Sequence, residues 1–173
     1  MKSLLIKVRN AVKTLRKQPY KSMFVVSKRS IPILDCVTRW NSTYNMMQSL
    51  VKERQFICSL TGTNDEPIFG DDLWCFITKF EVIFKPVADA TLRLQDTQIT
   101  FGDFFLIWEK CYFKLKNNND ELASIIAANM EKRKKQLMSN KSFLASLVFD
   151  QRINYRNSPF INYEESRIAL VCF

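Results

Sequence analysis

Thr100-Phe101-Gly102-Asp103-Phe104-Phe105-Leu106-Ile107-Trp108-Glu109-Lys110-Cys111-Tyr112-Phe113-Lys114-Leu115-Lys116 reads as one capped helix. Thr100 offers a side-chain oxygen to an early backbone N–H, and Asp103 puts an acid in the first turn, where the helix dipole favours it. The apolar residues Phe101, Phe104, Phe105, Ile107, Trp108, Tyr112 and Phe113 cover nearly every face. That pattern predicts a helix at the centre of the core.

The flanking sequence continues in the same manner. Downstream, Asn117-Asn118-Asn119 predicts a turn, and Asp120 opens a helix to about Leu137 that carries Lys132-Arg133-Lys134-Lys135 near its end. Ser142–Phe149 is a short apolar run that fits a strand or a helix. Residues 150–162 read as a loop with Pro159, followed by a helix from Tyr163 into Ala169-Leu170-Val171-Cys172-Phe173. Upstream, Asp71 or Asp72 caps a helix with the stripe Leu73, Ile77, Phe80, Phe84 and Val87, which Pro86 should kink or break. Residues 61–70 form a polar loop. Thr38 caps a helix over roughly 39–60 with the stripe Trp40, Tyr44, Met47, Val51 and Cys58. Residues 18–37 are a connector, with Phe24-Val25-Val26 and Ile33-Leu34 as short extended candidates. Leu4, Leu5, Val8, Val12 and Leu15 mark an amphipathic helix over 2–17, with Arg9, Lys13 and Arg16 on another face and Pro19 closing it. The expected fold is mainly α, with at most one or two short strands.

Composition supports this reading and narrows the chemistry. The chain has 173 residues, 47% of them hydrophobic and 13% aromatic, which is ample for a core and excludes disorder as the main state. It has 3 Gly, too few for Gly-rich phosphate loops or β-propellers. It has no His, so no Ser-His-Asp triad, Cys-His dyad or His-ligated zinc site can be built from it. Its 5 Cys are widely spaced and odd in number, which suggests buried thiols in a reducing compartment. No apolar run is long enough for a membrane span, and the start is too short in apolar length for a signal peptide. The nucleus, or else the cytoplasm, is the expected location, with no membrane partner. An apolar run at one end and a helical pattern already under way at the other suggest a piece of something larger.

The net charge of +9 is localised. Residues 1–30 contain Lys2, Lys7, Arg9, Lys13, Arg16, Lys17, Lys21, Lys28 and Arg29 and no acid, while acids and bases balance in the remainder. Two regions are therefore expected: a basic helix and connector over 1–30, and a neutral helical segment over 31–173.

Leu34-Asp35-Cys36-Val37-Thr38-Arg39-Trp40-Asn41-Ser42-Thr43-Tyr44-Asn45-Met46-Met47 resembles the "D-x-x-T-R-W-N-S-T-Y-x-M-L" block of hAT-superfamily transposases. The block also occurs in their domesticated relatives, including BED-zinc-finger proteins. Ile6, Lys7, Lys13, Leu15 and Arg16 look like the basic helix that precedes it. Trp74, Ile77, Phe84, Pro86, Thr91, Leu94 and Gln95 match a looser later stretch. Leu147-Val148-Phe149-Asp150-Gln151-Arg152 looks like the family's "L-L-D-P-R" segment, with Gln151 where Pro is usual. The resemblance covers most of the chain, but only Thr38–Tyr44 is specific.

The resemblance implies a segment of the helical insertion domain of a split RNase-H-like transposase, truncated at both ends. The family's first two metal-binding acids would lie upstream and its third downstream, and the family's His motif is absent. Two-metal phosphoryl transfer needs converging carboxylates, and Asp71-Asp72 and Glu164-Glu165 read as a cap and a solvated face. The chain is accordingly expected not to be an enzyme, with no catalytic residue, metal or cofactor.

The expected partner is DNA, with the remainder of a transposase or a homologous subunit as a further candidate. In the family the Trp of the Arg-Trp pair handles DNA, which by resemblance falls on Trp40. A base stacked on an aromatic face is held without sequence readout, and Arg39 beside it is a planar donor for phosphate. Trp40 also lies on an apolar stripe, so a core position competes. Lys7, Arg9, Lys13, Arg16 and Lys17 are the candidate phosphate contacts of the basic helix. The same helix could equally be a solvated face over a buried stripe, lie on an anionic membrane or dock in a partner groove. Lys132–Lys135 reads as a solvated helix end or a nuclear-localisation patch. The alternative function is a helical interaction module, or a transposon remnant, without a nucleic-acid role.

Overall fold

The computed structural model describes residues 1–36, 40–60 and 67–153, with Trp40 described by its backbone. Among these residues the chain is mainly helical. It forms α1 (Lys2–Leu15), α2 (Tyr20–Val26), α3 (Trp40–Lys52), α4 (Arg54–Ser59), α5 (Asp71–Arg93), α6 (Phe101–Lys116), α7 (Glu121–Met138) and α8 (Lys141–Phe149). It divides into two compact units, Met1–Ala88 and Asp89–Phe173, and the basic N-terminal helix and connector belong to the first.

The first unit is built on the apolar stripes read from the sequence. Val8, Val12 and Leu15 of α1 are fully buried and pack with Phe24, Met46, Met47, Leu50, Ile77 and Trp74. Phe24-Val25-Val26 is helical, contrary to the extended expectation. Only Phe24 turns inward, edge-on to Phe56 at 4.9 Å, while Val25 and Val26 face water. One inward residue in three suits a helix, whereas a half-buried strand would alternate. Ile33 and Leu34 lie in a segment without regular structure. The helix expected over 39–60 is two helices, α3 and α4, separated at Glu53, and Cys58 is exposed instead of completing the stripe. Thr38 lies outside the described residues. Asp71 and Asp72 sit in the first turn of α5, whose Trp74 N–H donates to the Gly70 carbonyl. Pro86 neither ends nor breaks α5. The carbonyl it deprives of a partner belongs to Val82, on the solvent side, where water can serve.

In the second unit α6, α7 and α8 pack on one another. Thr100 and Asp103 form the expected capping box, Asp120 caps α7 through the Leu122 N–H, and Asn140 caps α8 through the Phe143 N–H. The run 142–149 is therefore a helix, with Phe143, Leu144, Ala145, Leu147 and Val148 buried. α6 is not sheathed on all sides as expected. Phe105, Cys111 and Leu115 are buried, but Phe101, Leu106 and Phe113 are exposed, since two neighbouring helices cannot cover a whole circumference. The loop and helix expected beyond Ile153 lie outside the described residues.

Candidate functional site

In α1 the positions of Arg9 and Arg16 border the buried stripe, so both side chains can reach back across it. Arg9 donates to Asp35 from two nitrogens, Nη2 to Oδ2 at 2.6 Å and Nε to Oδ1 at 2.9 Å. Asp35 also accepts from Thr43 Oγ1 at 2.8 Å, and its side chain is 1% exposed. The Arg9 hydrogen bonds hold the Asp35 carboxyl below the usual carboxylate range; burial opposes this, and the Thr43 hydroxyl adds to it. Arg16 donates to the Pro32 carbonyl at 2.8 Å. Arg29 lies over the Phe56 ring and contacts the buried Glu53 at 3.4 Å.

All three arginines of residues 1–30 thus bond or ion-pair with groups of the protein, although Arg16 and Arg29 remain exposed. The six lysines, Lys2, Lys7, Lys13, Lys17, Lys21 and Lys28, are exposed. The division follows chemistry: a guanidinium is weakly hydrated and grips a carboxylate as a fork, whereas an ammonium keeps its water.

The block over 34–47 shows the same internal use. Ser42 Oγ accepts from the Cys36 N–H at 2.9 Å and donates to the Cys36 carbonyl at 2.8 Å. Ser49 Oγ accepts from the Ile33 N–H at 3.0 Å. These bonds strap the 33–36 segment along α3. Asn41 has a buried side-chain oxygen with no hydrogen-bond partner among the described residues.

The candidate DNA contacts therefore separate. Lys7, Lys13 and Lys17 are exposed, Arg16 is exposed but bonded to a carbonyl, and Arg9 is half-buried and ion-paired. Arg39 and the Trp40 side chain lie outside the described residues. Of the basic run 132–135, Lys134 turns inward to Glu109 of α6 at 3.0 Å. Sequence reasoning passed over Asp35 and Thr43 as partners. The available signal was charge: Asp35 is the first acid in the chain and Glu53 the next, and both are buried beside arginines of the basic segment.

A second cluster lies in the other unit. Arg152 reaches Asp103 Oδ1 at 2.6 Å and Asp150 Oδ2 at 2.7 Å, and its Nη2 is 3.3 Å from Thr100 Oγ1. The Thr100 hydroxyl first, and then Arg152, hold the Asp103 carboxyl far below its ordinary range. The cluster forms one edge of a groove of about 800 Å³ lined by Phe101, Phe104, Leu137, Phe143 and Phe149.

Of the described cysteines, Cys36, Cys58 and Cys75 are exposed, which corrects the expectation of buried thiols. Cys111 is buried, and burial pushes its thiol up to about 11. Among the described residues no group of His, Cys, Asp or Glu is placed to hold a metal ion, and no helix is long and apolar enough to cross a membrane. Comparison of the chain with protein-family models, curated proteins and solved structures finds no match.

Proposed function

We propose that this chain is a catalytically incomplete protein derived from a hAT-superfamily transposase, corresponding to part of its helical insertion domain, and that it binds DNA without sequence preference in the nucleus. The six exposed lysines of residues 1–30, with no acid among those residues, carry this reading. Such a surface neutralises phosphates and releases counterions, which gives affinity without base readout. Arg39 and Trp40 would add a phosphate contact and a stacking face. The reading assigns the chain no chemistry and no cofactor.

The test is fluorescence anisotropy with a labelled DNA duplex across a salt series. Affinity should fall linearly with log salt, and Trp40→Ala should weaken binding at unchanged helical content. No binding at low salt would sink the proposal.

A second reading is favoured by α2, where Met23, Val25 and Val26 are exposed and Val26 reaches 82%. An apolar surface of this kind suits a helical protein-interaction module better than a phosphate contact. Retention of a protein partner after Lys13→Gln and Lys17→Gln, but not after Val26→Asp, would support it over DNA binding.

A further inference from the structure

We propose that the outer face of α2 docks an amphipathic protein helix whose apolar stripe is bordered by Asp and Glu. The inference rests on the protein-interaction reading of α2 and names the chemistry of its partner. Phe24 turns inward, which leaves Met23, Val25 and Val26 on the outer face at 43%, 64% and 82% exposure. Lys21 stands one helical turn before Val25 and on the same side. Lys17 precedes the helix and Lys28 follows it, and all three lysines are exposed without an ion-pair partner among the described residues. Lys28 adopts a left-handed φ of 52°, a conformation that glycine takes without strain. The turn thus keeps a cation at the end of the apolar face at a conformational cost.

Charge identifies the occupant. Residues 1–30 hold no acid, and the next two acids of the chain, Asp35 and Glu53, are buried beside Arg9 and Arg29. The apolar face is therefore bordered by uncompensated cations, and a partner with carboxylates beside its apolar residues complements both features. A second copy of this chain would oppose lysine to lysine. DNA phosphates would leave the valines in water. A lipid surface takes up side chains such as Leu, Phe and Trp. Val25 and Val26 are short and stiff at χ1, so they lose little freedom against a packed protein partner.

Three synthetic helical peptides test the proposal on the full chain. They share one leucine stripe and carry Glu, Gln or Lys beside it. By fluorescence anisotropy the Glu peptide should bind at least about ten-fold tighter than the Gln peptide, and the Lys peptide should not bind. Val26→Asp, at unchanged helical content, should weaken binding of the Glu peptide by about ten-fold or more. Lys21→Glu combined with Lys28→Glu should reverse the order, so that the Lys peptide binds best. Equal binding of the Glu and Gln peptides, both lost in Val26→Asp, would overturn the acidic partner and leave the interaction reading standing. Binding of the Glu peptide that Val26→Asp leaves unchanged would overturn both, because the apolar face would then have no part in it. Failure of all three peptides to bind would overturn the proposal. So would Val26-dependent binding to vesicles of phosphatidylcholine and phosphatidylserine in place of the peptides, which would put a lipid surface on α2.

Discussion

Arg9 and Asp35, 26 positions apart in sequence, meet through a two-nitrogen grip in which Nη2 stands 2.6 Å from Oδ2. The contact joins the basic helix α1 to the segment that leads into α3. Removing one member of such a pair strands the other in a site built for charge.

Asp35→Asn should therefore lower stability by about 2–3 kcal/mol, the lower part of the range for buried pairs because Arg9 is partly exposed. Urea unfolding measures it. The pH dependence has a definite sign. The carboxyl has a depressed pKa in the folded protein, so its stabilisation is present above the unfolded value of about 3.9 and is lost as pH falls through the lower folded value. The gap between wild type and Asp35→Asn should be constant near neutrality and close in acid.

The lysines and arginines of α1 should respond in opposite ways. Lys13→Gln removes an exposed charge, so the slope of log affinity for DNA against log salt should shrink by about 0.9, and stability should stay within about 0.5 kcal/mol. Arg9→Gln should instead lower the urea midpoint. Identical effects of the two on folding would contradict the division between bonded arginines and exposed lysines.

Gly102→Ala should destabilise the second unit although alanine is the better helix former. A Cβ at this position would overlap Asp150 Oδ2 and lie 2.7 Å from its Cγ. Asp150 cannot swing away without leaving Arg152. A loss of about 1–3 kcal/mol, typical of overpacking, is expected in thermal unfolding. A rise in Tm would show that the Asp150–Arg152 contact yields freely.

Glu109 and Lys134 tie α6 to α7 through a largely buried ion pair. Lys134→Met alone should cost about 3–5 kcal/mol by leaving the Glu109 carboxylate unpaired. Replacing both residues by Met should restore most of that stability, since an apolar pair of similar volume removes the stranded charge. The double-mutant cycle in urea reads the coupling directly.

Much of the local architecture was legible because it rests on local rules. The α6 capping box needed only Thr100 and Asp103 three residues apart, and the α1 stripe needed only helical spacing. The helical state of 24–26 was hidden because a short apolar trio has no period of its own. It depends on Phe24 finding Phe56, a contact between residues far apart in sequence. The candidate site was legible as a charge imbalance but not as a surface. Which cations face water depends on Asp35, Pro32 and Glu53, whose approach to the arginines is tertiary. Asp150 and Arg152 stand out in the sequence as part of a motif, yet their contact with the α6 cap appears only when 49 positions of chain are folded back.

The split between bonded arginines and solvent-facing lysines makes folding and electrostatics of the first unit independently variable. Each of the six lysines can be neutralised by substitution or acetylation without removing one of the arginine contacts that brace the unit. Drift in sequence can thus retune the unit's affinity for polyanions by steps of one charge while its architecture is inherited unchanged. An exchange of Arg9 for lysine, neutral by any charge count, would disturb the architecture and leave the net charge intact.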